Sequence, residues 1–188
     1  MSPHFVATNL NAVSLGSANP EQKEVLEAAQ KQVGFIPNMY ANMANVPAVL
    51  TTYLHGYAAF RQKSGFTPAE QEVVFLAVSQ QNGCSYCTAA HSMLADKMSG
   101  VPAPVLAAIR AYQPIPDVKL KALYEFTQEL VSTSGKPGQA AAAAFLAAGY
   151  TEAQVLQIIL AAAVKTLSNY TNHLFQTVVD DKFAAYKV

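Results

Sequence analysis

The residues most capable of chemistry lie in one short span, which holds both cysteines of the chain and a histidine. Cys84 and Cys87 are three positions apart and His91 follows Cys87 by four, so the three side chains can share one face of a helix. A thiol reacts as its thiolate, which is favoured by a nearby histidine, by a helix N-terminus and by the partner of a Cys-x-x-Cys pair. The span therefore predicts a redox-active dithiol with a base beside it.

A carboxylate, Glu72, precedes this span, and its distance from the thiols depends on the turn at Asn82-Gly83. One straight helix, at about 1.5 Å of rise per residue, would put Glu72 about 18 Å from Cys84, too far to act on it. A reversal at Asn82-Gly83 would instead start a new helix at the cysteines and fold it back on the preceding one. Glu72 would then be a candidate proton acceptor whose pKa burial raises; a solvated residue or a salt-bridge partner is the alternative.

The same residues also permit a metal-binding interpretation. Cys84, Cys87 and His91 could be three ligands of a tetrahedral zinc site, with Glu72 as the fourth. Structural zinc sites usually draw a second ligand pair from elsewhere, however, and the other histidines have no cysteine beside them: His4, His55 and His173. A thioredoxin-like site is disfavoured because that motif belongs to a βαβ unit and the sequence shows no strands. We therefore expect chemistry that needs neither a metal nor an organic cofactor.

Composition narrows the classes of function. Lysine plus arginine and aspartate plus glutamate number 12 each, and the basic residues are scattered, so nucleic acid and anionic membranes are not expected partners. The N-terminus lacks a basic leader with an apolar run, and no apolar stretch reaches the roughly 18 residues that span a bilayer, so we expect a cytoplasmic protein. Charged residues make up only 13% of the chain and apolar residues 52%, which predicts apolar surface buried in a homo-oligomer.

Helix signals dominate the whole chain, which reads as a single all-α domain over residues 1–188. A proline or a capping residue opens most of the predicted helices, and glycine follows several of them. The predicted helices run from Pro20 to Gly34, around 38–45, from Pro47 to Ser64, from Thr67 to Asn82, from Cys84 to Ser99, and near 103–112, 117–133, 137–148 and 152–180.

The chain also resembles itself when it is shifted by 84 positions. This shift pairs Gly65–Glu70 with Gly149–Gln154 and places Ser168 opposite Cys84. Two helices that both begin at a threonine cap could look alike by chance. The alternative is that a helical unit was duplicated and only one copy holds the thiols, which predicts a two-fold internal repeat.

The four residues Glu72, Cys84, Cys87 and His91 carry a family resemblance. Glutamate, eleven intervening residues, Cys-x-x-Cys, three residues and histidine is the pattern of the alkylhydroperoxidase AhpD group within the carboxymuconolactone decarboxylase family. The chain also resembles a peroxidase-related branch of this group at its Phe35–Asn38 turn and at Asn169–His173, and the strongest part of the match is the core motif at 66–98. The resemblance implies an all-α, AhpD-like multi-helix fold with an internal helical repeat and a homo-oligomer, often a trimer or hexamer.

The resemblance also implies a reaction and roles for these residues. Cys87 would attack a hydroperoxide and become a sulfenic acid, and Cys84 would resolve it to a disulfide that a dithiol reductant protein reopens. His91 would activate Cys87, and Glu72 would take part in the proton relay. AhpD proper has a histidine between the cysteines where this chain has Tyr86, so the finer relay and the lipoyl-bearing electron donor of that branch do not carry over.

Two other functions remain open from the sequence. The first is a lactone decarboxylase or isomerase, as in thiol-free relatives, although the dithiol argues against it. The second is a helical redox or zinc-binding module without catalysis. Three further polar residues could contribute to a site: Asn169, Asn172 and His173 could line a pocket or an interface, although such residues more often satisfy buried hydrogen bonds. His55 could contact substrate, although a role in helix packing is the usual one.

Overall fold

The computed structural model describes residues 10–188, which form nine α-helices and one 3-10 helix, with no strand among them. His4 and the N-terminal sequence up to residue 9 lie outside the described residues. The helices are α1 (Pro20–Val33), α2 (Asn38–Met43), α3 (Pro47–Lys63), α4 (Pro68–Gln81), α5 (Ser85–Lys97), α6 (Ala103–Arg110), α7 (Val118–Ser132), α8 (Gln139–Ala147), α9 (Glu152–Phe175) and the 3-10 helix (Asp181–Tyr186). The all-α prediction is confirmed.

The end of the last long helix differs from the sequence prediction, which extended it to residue 180. Helix α9 ends at Phe175 because Gln176 adopts a left-handed conformation with φ of 48°. The segment after α9 is bound to residues of other helices. The carboxylate of Asp180 accepts hydrogen bonds from the backbone N–H of Asn38, at 3.1 Å, and from the hydroxyl of Tyr86. These contacts join residues far apart in the chain, so no local pattern could reveal them.

The turn between α4 and α5 positions the dithiol. Gly83 has φ of 68°, a left-handed conformation that glycine adopts without steric cost. Cys84 follows it as the N-cap residue of α5, and its backbone N–H donates to the carbonyl of Ser79 at 2.8 Å. Helix α5 then returns along α4, since Glu72 near the start of α4 contacts His91 on the second turn of α5. The predicted break and the predicted new helix at the cysteines are both confirmed.

Helices α4 and α9 begin in the same way. The side chain of Thr67 accepts the backbone N–H of Glu70, and that of Thr151 accepts the N–H of Gln154, so both helices open with a capping box. The two then diverge, because α9 continues for 24 residues without the break that separates α4 from α5. The duplication of an ancestral unit stays a prediction.

Helix α9 lies close against α3 and α4. Gly56 of α3 has no side chain, and a Cβ built there would lie only 2.7 Å from Cγ2 of Val164. Glycine at this position therefore lets the two helices approach closely. The approach carries the following residue, Lys165, into the interior, where it is fully buried.

Within residues 10–188 no single helix combines the length and apolar composition needed to cross a membrane. Two helices, Gln139–Ala147 and Glu152–Phe175, have the required length and apolar composition only when they are taken together, and they are bent by 113° at the break between them.

Candidate active site

Both thiols are free and lie at the start of α5. Cys84 is the N-cap residue and Cys87 belongs to the first turn, and each residue is only 1% exposed. The two thiols interact with each other, which shifts their pKa values in opposite directions. A helix N-terminus carries partial positive charge, so this position favours a thiolate.

Helix α9 supplies polar groups to the other side of the sulfurs. The side-chain N–H of Asn172 donates to Cys87 Sγ at 3.3 Å and to Cys84 Sγ at 3.7 Å, and Ser168 Oγ lies 3.7 Å from Cys87 Sγ. Asn169 acts differently, since its side-chain oxygen accepts a hydrogen bond from Asn82 at 2.9 Å and thereby ties α9 to the turn before the cysteines.

The two remaining histidine candidates do not lie at the thiols. The ring of His173 stacks on Tyr170 with 6.3 Å between the centroids, and His55 is exposed on α3. Of the polar α9 segment singled out from the sequence, only the asparagines therefore lie at the dithiol or its turn.

A chain of buried polar groups runs from α4 through α5 to α9. His91 Nδ1 lies 2.8 Å from Glu72 Oε2, and His91 Nε2 lies 2.9 Å from Lys165 Nζ. An ionised carboxylate can only accept, so Nδ1 carries the proton, and Nε2 of the neutral ring accepts from Lys165. The structure thus brings Glu72 and His91 together as predicted, but it places a lysine at the other nitrogen of the ring.

The charge state of Glu72 differs from the sequence expectation. Burial by itself raises the pKa of Glu72, as expected, but the hydrogen bonds from His91 and Arg61 and the positive charge of Arg61 outweigh it and hold that pKa below its usual value. Arg61 donates to the other carboxylate oxygen of Glu72 and, at 2.6 Å, to the hydroxyl of Tyr57. Glu72 is therefore a buried anion that orients His91, as well as the salt-bridge partner considered as the alternative.

The two thiols differ in ionisation. Burial opposes the thiolate of Cys87, but the interaction with Cys84 and the positive charge of Lys165 prevail and lower the pKa of Cys87 well below its ordinary value. The interaction with Cys87, together with burial, raises the pKa of Cys84. Cys87 is consequently the more nucleophilic member of the pair at neutral pH.

A cavity of about 460 Å³ opens on these groups. Cys87, His91 and Lys165 line it, whereas Cys84 and Glu72 are not among its lining residues. The rest of the wall is mainly aromatic and apolar, including Phe35, Met39, Tyr40, Tyr53, Tyr57, Tyr86, Met93, Leu94 and Phe183. A molecule in the cavity would therefore meet Cys87 before Cys84.

The burial of this cluster predicts how stability depends on pH. Burial and Lys165 lower the pKa of His91 below 6.5, and His91 and Arg61 lower the pKa of Glu72 below 4.5. In both cases the unfolded chain binds a proton at a higher pH than the folded protein does, so acid favours unfolding. We expect the free energy of unfolding, measured with urea, to decrease as the pH is lowered below about 6.5, because His91 then takes up a proton in the unfolded chain but not in the folded protein. It should decrease further as the pH is lowered through the folded pKa of Glu72. Constant stability between pH 7 and 4 would contradict this.

His91 is not available as a zinc ligand. Both ring nitrogens of His91 are already hydrogen-bonded, one to Glu72 and one to Lys165, so neither is free to bind a metal beside the sulfurs. In the part of the chain that the structure describes, no three His, Cys, Asp or Glu side chains are grouped as a metal site.

Sequence reasoning missed Lys165 and Arg61, and it identified Ser168 only as the residue opposite Cys84 in the internal repeat. Lys165 did leave a signal, because it is the only lysine, arginine, aspartate or glutamate between Glu152 and the end of α9, directly after the apolar run 158–164. Arg61 left none, because a basic residue in the last turn of a helix is ordinary.

Comparison with known proteins agrees with this geometry. The model of the carboxymuconolactone decarboxylase family matches residues 46–124, a region that holds both cysteines, Glu72 and His91. The structure is similar to the alkylhydroperoxidase AhpD core of a peroxidase-related protein from Ralstonia eutropha JMP134, with a TM-score of 0.77, 21% identity and 93% of each chain covered. This chain has an AhpD-like fold, and its region 46–124 matches the carboxymuconolactone decarboxylase family. Its all-α, AhpD-like fold is confirmed.

The AhpD-like chain is similar to other solved structures at lower identity. A peroxidase-related protein from Silicibacter sp. TM1040 has a TM-score of 0.72 and 20% identity, covering 97% of this chain and 96% of its own. The debrominase Bmp8 has a TM-score of 0.76 and 15% identity, covering 95% and 96%, and a cysteine-to-alanine variant of it was solved with 2,3,4-tribromopyrrole. No curated protein matches the AhpD-like chain by sequence.

Proposed function

We propose that this AhpD-like protein is a thiol-dependent hydroperoxidase in which Cys87 is the nucleophile and Cys84 the resolving thiol. The observation that carries the proposal is the asymmetry of the pair: Cys87 lines the cavity and its pKa is lowered, whereas Cys84 lies behind it with a raised pKa. A peroxidase that forms a disulfide needs one ionised thiol facing the substrate and a second thiol within reach.

The reaction would proceed in two steps. The thiolate of Cys87 attacks the terminal oxygen of the hydroperoxide, so that an S–O bond forms, the O–O bond breaks and the departing alkoxide takes a proton to become an alcohol. Cys84 then attacks the sulfur of the resulting sulfenic acid, and water leaves as the disulfide forms. One hydroperoxide is reduced and two thiols are oxidised, while Glu72 and Arg61 hold His91 in place.

The cycle needs a reductant and a suitable assembly. A separate dithiol protein would reduce the disulfide, and a reducing cytoplasm would keep the resting thiols free. A homo-oligomer would cover apolar side chains that α9 leaves exposed, among them Leu156, Ile159, Tyr170 and Leu174.

A free-thiol count tests the proposal. The protein has two free cysteines, and one equivalent of cumene hydroperoxide should remove both and yield one equivalent of cumyl alcohol. Dithiothreitol should then restore both thiols and allow further turnover. Two thiols persisting after the peroxide is added would refute the proposal, and turnover of a lactone by protein whose cysteines are alkylated would favour the lyase or isomerase alternative.

Reductive dehalogenation is a second candidate. The cavity is larger than hydrogen peroxide requires and its wall includes four tyrosine rings, and the fold is shared with a debrominase. The same dithiol could take bromine from an aromatic ring: the thiolate accepts the bromine, the ring carbon takes a proton, and Cys84 displaces bromide to leave the disulfide. Release of bromide from 2,3,4-tribromopyrrole, measured beside consumption of cumene hydroperoxide, distinguishes the two reactions.

A further inference from the structure

Lys165 is a fully buried cation that lacks a carboxylate of its own. Its amino group is 0% exposed and its hydrogen bond goes to Nε2 of His91, while the carboxylate of Glu72 is already bound by Arg61 and by Nδ1 of His91. Within residues 10–188 no aspartate or glutamate forms an ion pair with it. A buried ammonium without a counter-charge is strongly disfavoured, so another group must supply the negative charge.

Cys87 is the group placed to supply it. Both residues line the same cavity, and the positive charge of Lys165 lowers the pKa of Cys87. With Cys87 as a thiolate, the buried cluster contains two cations, Arg61 and Lys165, and two anions, Glu72 and Cys87. The cluster is then neutral, whereas a protonated Cys87 would leave it with one uncompensated positive charge.

The other titratable groups around the cavity do not provide that charge. Burial raises the pKa of four tyrosines, so they stay neutral near pH 7: Tyr40, Tyr53, Tyr57 and Tyr86. Burial and Lys165 lower the pKa of His91, so its ring is neutral there too. Lys182, on the C-terminal segment, adds a further cation at the exposed rim, 3.9 Å from the ring centroid of Phe35, and Asp180 is bound to Tyr86.

We propose that Lys165 is a catalytic residue, which takes the proton of the Cys87 thiol and passes it to the oxygen that leaves when the peroxide bond breaks. The proposal rests on the thiol chemistry proposed above. In the reduced protein the Lys165 amine holds the proton of the Cys87 thiol, so that an ammonium lies beside a thiolate before the peroxide enters. When the S–O bond forms and the O–O bond breaks, the ammonium returns that proton to the alkoxide, so the amine is regenerated and no outside acid or base is consumed.

His91 and Glu72 are positioning residues in this scheme. Nε2 of His91 accepts from Lys165, so the ring has no N–H directed at the thiol or the substrate, and the Nδ1 proton is committed to Glu72. An ammonium has three N–H groups, and one of them goes to His91. Two remain for the thiolate and the leaving oxygen. Lys165, Ser168 and Asn172 lie on α9, outside the residues that the family model matches.

The test measures ionisation of Cys87 without any substrate. In a Cys84→Ser background, absorbance at 240 nm against pH reports the Cys87 thiolate alone. Adding Lys165→Met should raise the midpoint by at least about one pH unit, a tenfold change in the ionisation constant. Lys165→Arg should keep the low midpoint because it keeps the charge, and Lys182→Met should leave the midpoint in place because solvent screens that exposed rim charge.

Turnover gives the second measurement. With Cys84 intact, Lys165→Met should lower kcat for cumene hydroperoxide about 100-fold, as expected for loss of a proton-transfer group. Lys165→Arg should not restore kcat, because a guanidinium keeps the charge but cannot give up its proton. A folded Lys165→Met protein with the wild-type midpoint and wild-type kcat would overturn the role of Lys165 and leave the peroxidase proposal standing. Should that variant lose its helical circular dichroism, Lys165→Gln and Lys165→Arg replace it, and equal midpoints in the two would overturn the proposal. Failure of the peroxidase proposal is seen separately, as two thiols that survive peroxide in the wild-type protein.

Discussion

Hydroperoxide consumption should fall by about 1000-fold or more when Cys87→Ser is introduced, since a serine hydroxyl stays protonated near pH 7 and is a far weaker nucleophile than a thiolate. The surroundings of Cys87 are arranged for ionisation at that one sulfur, with Asn172 donating at 3.3 Å and the buried charge of Lys165 lining the same cavity. No neighbouring thiol can take over, because the pKa of Cys84 is raised and Cys84 does not line the cavity. Initial rates with dithiothreitol as reductant measure the loss.

Cys84→Ser is the matched control, because it alters the other member of the same pair. The first step should then still occur, and Cys87 should accumulate as a sulfenic acid that dimedone traps at one equivalent per chain. Equal activity of the two single variants, or a dimedone adduct in Cys87→Ser, would rule out the assignment of roles to the two cysteines.

The largest expected effect on stability comes from Glu72→Gln. Glu72 is fully buried and its carboxylate accepts from both Arg61 and His91, so the neutral amide leaves Arg61, whose side chain is only 21% exposed, without its counter-charge. Removing one partner of a buried ion pair costs about 3–5 kcal/mol, because the other charge stays out of water. Urea unfolding at pH 7 measures the change in the free energy of unfolding.

Glu70→Gln is the control on the same helix. Glu70 pairs with Lys119 at 2.8 Å, but the lysine side chain is 52% exposed, and a glutamine can still accept the backbone N–H of Thr67 as Glu70 does. An ion pair open to solvent contributes about 0–1 kcal/mol, so this variant should remain close to wild type. If the two variants lost equal stability, the carboxylate of Glu72 would not be the buried ionic anchor that its contacts indicate.

Local sequence patterns foresaw the parts of the fold that neighbouring residues control. Thr67, which caps α4, and Pro68 after it specify where α4 begins, and Gly83 specifies where it must stop, because these effects act within one turn of backbone. The same locality explains why the dithiol could be placed at the start of a helix. It also explains the error at residue 180, where Asp180 is held by Asn38 and Tyr86 and not by its own neighbours.

The amino-acid sequence alone determined three things: the all-helical architecture, the reversal after α4 and the identity of four reactive or titratable side chains. All three depend on short-range spacing and capping. Packing decided the rest. Only when α9 lies against α4 and α5 do Lys165 and Asn172 reach the site, and only when α3 brings Arg61 to Glu72 does that carboxylate become a buried anion whose pKa is lowered. Electrostatic effects depend on distance through space and on exclusion of water, and neither quantity can be obtained from positions along a chain.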